Sequence, residues 1–370
     1  MEFQIEKKDL LRPLTILQGI AERRSSIPAL GNILMESEGN TLLMTTTDLE
    51  TTISSHIPCN FQREGKICVS ARKLYEIIRE LPDVQIGIQR MENNWAKITC
   101  QKAIFNLSGL DPADFPALQP ISENDLINVT SLDLGEMVEK VIFASSTEES
   151  RYSLNGIYLE TTPEEENCMV RMVATDGHRL ALIERKGPEF SGIKKGAIIP
   201  KRGLNEVKKI VGEYPEGLRV SVTENSFIVK VDLFSAVIRQ IDGEFPDYKQ
   251  VIPRENEKLI RINKREFASC LRRVSSIVTD RVEGIKFTLR KGVIEIHSSS
   301  QDVGNATEEF PAVYDGNEVS IGFNARYILD ALNAIDDDEC VMELKDESNA
   351  VLIRPAKENN PLYVVMPMRI

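Results

Sequence analysis

Val173-Ala174-Thr175-Asp176-Gly177-His178-Arg179-Leu180-Ala181 is the most chemically loaded run in the chain. It sets an acid, a glycine, one of only three histidines and an arginine side by side, with apolar residues at both ends. Asp176 and His178 are of the types that do general acid–base work. The same residues also read as a strand ending in a turn. Gly177 then supplies a positive φ, Asp176 bonds to the turn backbone, and Asp-Gly is first of all a turn signal.

The rest of the chain gives this pair little support as a catalytic site. No nucleotide-binding glycine motif is present, neither G-x-G-x-x-G nor G-x-x-x-x-G-K-[ST]. There is no G-x-S-x-G elbow and no H-E-x-x-H. His56, His178 and His297 stand in three unrelated contexts without a ligand-spaced partner, so no metal or other cofactor is expected. A triad built on His178 would need a nucleophile from a distant segment, and nothing points to one. Cysteines 59, 68, 100, 168, 270 and 340 are scattered without C-x-x-C or framework spacing, which suits a reducing cytosol. The N-terminal residues hold no apolar signal core, and no run approaches a membrane span, so a cytoplasmic protein without membrane contact is expected. The formal charge of -12 argues against simple nucleic-acid binding by the molecule as a whole, although a field segregated onto one surface escapes that argument.

At 370 residues the chain is too long for one ordinary core. Its pattern repeats. Asp9 reads as a helix cap followed by Leu10, Leu11, Leu14, Ile16, Leu17 and Ile20 at helical spacing, with Pro13 in the first turn. A hairpin over 27–47 and strands over 51–57 and 66–70 follow, then a capped amphipathic helix, Ser70–Leu81. Three strands near 84–89, 96–100 and 103–107 lead to Asp111-Pro-Ala-Asp-Phe-Pro116. The same order recurs with a helix over 132–144, strands through the opening run, a second helix over 200–211 and the closing Asp242-Gly-Glu-Phe-Pro-Asp-Tyr248. A third round has helices over 264–277 and 324–332 and ends in Leu362–Ile370. The second helices begin at Ser70, Pro200 and Asn324, a period of about 125 residues, the size of a whole domain. Polar linkers near Glu123 and Glu255 divide the chain into domains 1–123, 124–255 and 256–370. Each has two helices on antiparallel sheet, an α+β architecture.

Charge and the chain end each admit two readings. Lys7/Lys8/Arg12, Arg72/Lys73/Arg79, Lys201/Arg202/Lys208/Lys209 and Lys264/Arg265/Arg272/Arg273 sit on helices, while strands, turns and linkers are rich in acid, as in Glu164–Glu166 and Asp336–Asp338. Either the helices have solvated mixed faces, or they line one basic surface within an acidic exterior. The helix around Asp133–Lys140 is net acidic and weakens the second reading. Aromatics are not interleaved with the cations, which favours a duplex backbone over a single strand as ligand. The apolar end Val364-Val-Met-Pro-Met-Arg-Ile370 is either a final edge strand or an adaptable, methionine-lined surface.

Three α+β repeats, Thr47-Asp-Leu-Glu50, the Ala174–Ala181 run, Asp242–Tyr248 and the Val364–Ile370 ending, taken in order, resemble the bacterial sliding clamps, the β subunits of DNA polymerase III, from residue 1 to residue 370. The resemblance implies a head-to-tail homodimer closing six similar domains into a ring, with helices lining the hole and sheets outside. It implies a processivity factor without catalysis. That factor encircles double-stranded DNA irrespective of sequence and tethers the replicative polymerase, a clamp loader, and other polymerases and repair proteins that carry clamp-binding peptides. The implied peptide pocket is lined by Leu154, Thr175, Gly177, His178, Arg179, Leu180, Pro246, Val251, Val364, Met366, Pro367, Met368 and Arg369. Gln250 stands where a basic residue is frequent in the family. Arg24, Arg72, Lys73, Lys201 and Arg202 would face DNA, and acids Glu148 and Glu149 occupy a loop that approaches DNA in relatives. Phe105 and Leu107 would meet Ile277 and Val278 of the other subunit. The rival readings are a hydrolase using Asp176 and His178 and a sequence-specific DNA-binding regulator, for which no recognition-helix signature exists.

Overall fold

The computed structural model describes residues 1–21, 26–117, 126–163, 168–186, 196–214, 216–254, 256–278 and 284–369. Arg24, the Glu164–Glu166 run and the linker residues Glu123 and Glu255 lie outside the described residues.

The first repeat runs β1 (Glu2–Glu6), α1 (Lys7–Leu17), β2 (Asn32–Glu38), β3 (Thr41–Thr47), β4 (Thr51–Pro58), β5 (Phe61–Arg63), β6 (Lys66–Ser70), α2 (Ala71–Glu80), β7 (Gln85–Arg90), β8 (Ala96–Cys100), β9 (Ala103–Leu107) and β10 (Gly109–Leu110). The second runs β11 (Ile127–Asn128), α3 (Ser131–Val141), β12 (Gly156–Pro163), β13 (Cys168–Thr175), β14 (Arg179–Lys186), β15 (Ala197–Pro200), α4 (Lys201–Glu213), β16 (Arg219–Val222), β17 (Ser226–Val231) and β18 (Phe234–Arg239). The third runs β19 (Lys258–Asn263), α5 (Lys264–Ser275), β20 (Gly284–Arg290), β21 (Val293–Ser300), β22 (Gly304–Pro311), β23 (Val319–Asn324), α6 (Ala325–Ala334), β24 (Glu339–Leu344), β25 (Val351–Pro355) and β26 (Leu362–Val365).

The chain packs as two compact units, and each takes part of the middle repeat. The first unit is Met1–Gly135 with Glu189–Gln240. Its sheets have the orders β5-β1-β7-β8-β9 and β10-β6-β2-β3-β4-β18-β17-β16-β11. The second unit is Glu136–Pro188 with Ile241–Ile370. It holds β12-β13-β14-β26-β25-β24-β19 and β22-β21-β20-β23. In each unit one sheet therefore continues from one repeat into the next, through β4 paired with β18 and through β14 paired with β26.

The helices follow from their apolar stripes and caps. Leu74 and Ile78 of α2 are fully buried, and the Ser70 hydroxyl accepts from Lys73 N at its start. Asn263 and Asn324 cap α5 and α6 in the same way. Helix α1 starts three residues earlier than the sequence suggests, with Glu6 rather than Asp9 at the cap. Pro13 consequently lies in the second turn, where its ring removes the bond to the Asp9 carbonyl. Buried Leu10, Leu14 and Leu17 hold the helix in place despite that loss.

Two of the cations that suggested a basic surface have an internal task. Lys7 Nζ donates to Arg79 O at 2.9 Å and to Leu81 O, closing the C-terminus of α2. Lys264 Nζ does the same for α6, donating to Ile335 O at 2.5 Å. Each first helix of these two repeats thus satisfies the orphan carbonyls of the second. Replacing Lys7 by methionine, which keeps the apolar stem, is expected to cost about 1 kcal/mol. A drop in the melting temperature checks it, and an unchanged melting curve would mean that the contact is idle.

Candidate functional site

The opening run joins β13 to β14 by a turn that uses nearly every polar atom it has. Asp176 Oδ1 accepts from His178 N at 2.9 Å and from Arg179 N at 3.1 Å. Its Oδ2 accepts from Arg179 Nε at 3.0 Å. Thr175 Oγ1 donates to Arg179 O at 2.6 Å and accepts from Gly177 N at 3.1 Å. Gly177 has φ +88°, and a Cβ there would lie 2.7 Å from Arg151 Nη1, which donates to Asp176 O. The turn recurs in the first repeat, where Asp48 Oδ1 accepts from Glu50 N and Thr51 N and Thr47 Oγ1 accepts from Leu49 N. There Leu49 holds the positive φ of 76°, so the motif alone does not demand glycine. Asp176 is therefore spent on turn backbone and Arg179, which leaves its carboxylate no role as the partner of a catalytic His178.

Arg179 is the hub of the site. Its guanidinium pairs with Asp176 and with Asp330 Oδ2 at 2.6 Å, and its Nη2 donates to Phe143 O at 2.7 Å. It stacks between two rings, 4.5 Å from the centroid of Tyr327 and 5.4 Å from that of Phe143. The exposed His178 ring lies nearly parallel to Tyr327, 6.5 Å away. Strand β26 is not an edge strand: it lies between β14 and β25, with Leu180 opposite Val364. The tail beyond it is pinned by Met366 N donating to His178 O and Met368 N donating to Gly322 O, both at 2.9 Å. Met366 is exposed, Pro367 and Met368 are half-buried, and Arg369 is exposed.

Beside the turn, Val173, Leu180, Leu182, Tyr248, Ala350, Leu352 and Val364 form one apolar cluster flanked by Tyr158, Phe245, Ile252 and Leu362. Tyr158 and Phe245 stack at 5.0 Å. The Asp242–Tyr248 motif is latched by Tyr248, whose hydroxyl donates to Glu160 and accepts from Arg171 Nη1 at 2.8 Å. Burial and the Glu160 carboxylate push the Tyr248 phenol well above its usual value. Burial opposes ionisation of Glu160, but the Tyr248 hydroxyl, Lys249 and Arg171 together hold its carboxyl below the ordinary range. Pro246 and Val251, both exposed, flank this latch. Gln250 Nε2 donates to Asp247 Oδ2 at 2.9 Å. Half-buried Leu154 ends the short helical segment that carries Arg151. Phe143, Tyr158, Phe245, Tyr327, Asp330 and Leu352 escaped the sequence reading. Phe245 stood inside the Asp242–Tyr248 motif, and Phe143, Tyr327 and Asp330 inside helices already expected, but no local pattern marked any of them as part of the site.

Comparison with known proteins decides the family. Residues 1–119, 128–247 and 249–369 match, in order, the N-terminal, central and C-terminal domains of the DNA polymerase III beta subunit. The chain belongs to the DNA polymerase III beta subunit family. It is 34% identical to the beta sliding clamp of Caulobacter vibrioides over 372 residues, covering both proteins fully. It is 31% identical to that of Escherichia coli K12 over 376 residues, again at full coverage of both. A sliding clamp of Bartonella birtlesii bound to griselimycin superposes with a TM-score of 0.96 at 32% identity, covering all of both chains. As a beta sliding clamp the chain is a replication accessory subunit, not an enzyme.

The remaining expected residues of this sliding clamp fall as follows. Arg72 and Lys73 are exposed on α2 and share Glu76, each at 2.8 Å; their hydrogen bonds, Lys73 first, hold the Glu76 carboxyl below its usual range. Lys201 and Arg202 open α4. Arg202 binds Asp48 Oδ2 at 3.0 Å and Ile20 O at 3.1 Å, so part of its charge ties α4 to the first Thr-Asp turn. Glu148 pairs with Arg151 at 3.2 Å. Phe105 is exposed and Leu107 half-buried on β9, beside Ile104, which is 60% exposed and was not foreseen. Ile277 and Val278 are half-buried just beyond α5. Among the described residues no cluster fit for a metal occurs, and no helix is long and apolar enough to cross a membrane.

Arg179→Met keeps an apolar stem but leaves Asp176 and Asp330 without their cation. It is expected to cost about 3 kcal/mol of stability. Thermal unfolding measures this, and a loss below about 0.5 kcal/mol, the size of a neutral surface change, would show that the stack and ion pairs contribute little.

Proposed function

We propose that the protein works as a head-to-tail homodimeric ring around double-stranded DNA, built from domains 1–123, 124–255 and 256–370 in each subunit. The observation that carries this reading is a count of strand edges. Within one chain β4 pairs with β18 and β14 pairs with β26, each joining consecutive repeats. By position in their repeats, the next such pair is β22 and β9, which both stand at sheet edges. Within this chain the two do not pair with each other. In two chains they complete the series twice, and a junction of unlike ends closes when the rotation closes. Exposed Ile104 and Phe105 on β9 and Val303 beside β22 suit such a contact. Phe105 and Leu107 against Ile277 and Val278 would add an apolar layer to it.

Arg24, Arg72, Lys73, Lys201 and Arg202 supply sequence-independent phosphate contacts, weak enough to slide. The acidic total charge keeps DNA off other surfaces. The pocket formed by Leu154, Thr175, Gly177, His178, Arg179, Leu180, Pro246, Val251, Val364, Met366, Pro367, Met368 and Arg369 takes apolar anchors of peptides from the polymerase, the clamp loader and repair proteins. Tethering makes each polymerase rebinding effectively intramolecular. The setting is cytoplasmic. With Gln250 bonded to Asp247, the pocket recognises peptides by apolar contact more than by charge.

Loaded onto a nicked circle by a clamp loader with ATP, the protein is expected to remain bound and to run off after the circle is cut. Equal loss from both forms would overturn topological linkage. Deleting Met366–Ile370 is expected to abolish polymerase and loader binding while the dimer persists. A monomer after that deletion would assign the tail to subunit contact instead.

A further inference from the structure

The β5-β1-β7-β8-β9 sheet of the first repeat carries a site that this function leaves unused. Strands β7 and β8 are joined by a tight hairpin in which Asn93 and Asn94 take positive φ of 56° and 62°. Met91 N donates to Trp95 O at 2.7 Å to close it. At its base opens a cleft of about 900 Å³, lined by Arg63, Gln89, Arg90, Met91, Trp95 and Asn106 among others. That volume is typical of ligand pockets.

The lining joins fixed positive charge to apolar surface. Arg90 donates to Lys66 O at 3.1 Å and to Asn94 Oδ1 at 2.7 Å, and Arg63 donates to Arg90 O at 3.1 Å. These three acceptors are neutral, while Glu2 stands opposite Arg63 in the sheet and accepts from Gln89 Nε2 at 3.3 Å. Glu92, exposed in the hairpin, is the only carboxylate in the lining. Trp95, the only tryptophan of the chain, is 44% exposed, and Met91 45%. Gln89 and Asn106 both stand opposite Lys97 and so share one face of the sheet. Arginine, tryptophan and methionine together are enriched at protein-recognition surfaces. A nucleic-acid track would need a run of cations and successive stacking rings.

We propose that this cleft is a second recognition site, for a short peptide in which a carboxylate stands beside a large apolar side chain. The carboxylate meets Arg63 and Arg90, a pairing suited to planar guanidiniums. The apolar side chain covers Trp95 and Met91. The Asn106 amide and the side-chain oxygen of Gln89 bond the peptide backbone.

The single tryptophan makes the test direct. The intact protein is titrated with acetyl-Gly-Asp-Phe-Gly-amide while Trp95 emission is followed. A saturable shift is expected. Affinity should fall at least about fivefold when Asn replaces Asp in the peptide, and as much in Arg63→Gln, with Arg63→Lys in between. Arg63 is exposed, so its replacement leaves the fold intact. The shift should persist in a Met366→Ala/Met368→Ala variant, which damages the other pocket. No saturable change, equal affinity for the Asn peptide, loss of the shift in the methionine variant, or tighter binding of a short oligothymidylate would each overturn the proposal.

Discussion

The architecture depends on antiparallel pairing between the last strand of one half-sheet and the last strand of the next. Strand β18 meets β4 from Phe234 opposite Ser55 to Ile238 opposite Thr51. Strand β26 meets β14 from Leu362 opposite Leu182 to Val365 opposite Arg179. A slip of one residue would turn every side chain to the wrong face. The repeats are therefore joined by sheet rather than strung on linkers. An edge left unpaired in one chain is a ready template for another chain.

The candidate pocket is a by-product of the second of these junctions. Because β26 enters the sheet beside β14, the tail leaves it level with the Thr175–Arg179 turn, and Met366 N reaches His178 O. The turn is stiffened from within by Asp176 and Thr175, and from outside by Arg179 held between Tyr327 and Phe143. On the far side the Tyr248–Glu160–Arg171 latch fixes the Asp242–Tyr248 loop. The walls are thus held by ion pairs and hydrogen bonds, and the methionine side chains on the pinned tail are the adaptable part. That combination suits one site serving several apolar peptides.

Most of the scaffold was legible in the sequence because its signals are local. Ser70 and Asn324 announce α2 and α6 by capping chemistry, and the threefold recurrence of second helices revealed the repeat. Strand β22 was missed because only Phe310 of its residues is buried, so alternation is invisible. In β23 the alternation of Val319, Ile321 and Phe323 is intact but spans only six residues. Pro13 was misplaced because the cap at Glu6 has no side-chain bond to mark it. The site was legible as a motif but not as a mechanism. Asp176 beside His178 looks the same in sequence whether the carboxylate serves a proton or a turn. What distinguishes them is Arg179, with Asp330 and Tyr327 about one repeat away along the chain, a contact no local pattern encodes.

The proposed ring stands on a third junction, β9 of one subunit with β22 of the other. The most direct measurement is the mass of the protein in solution by sedimentation equilibrium over a range of concentrations. A discrete species of twice the chain mass is predicted, with no larger assembly. A stable monomer at all concentrations, or a ladder of open-ended oligomers, would contradict it.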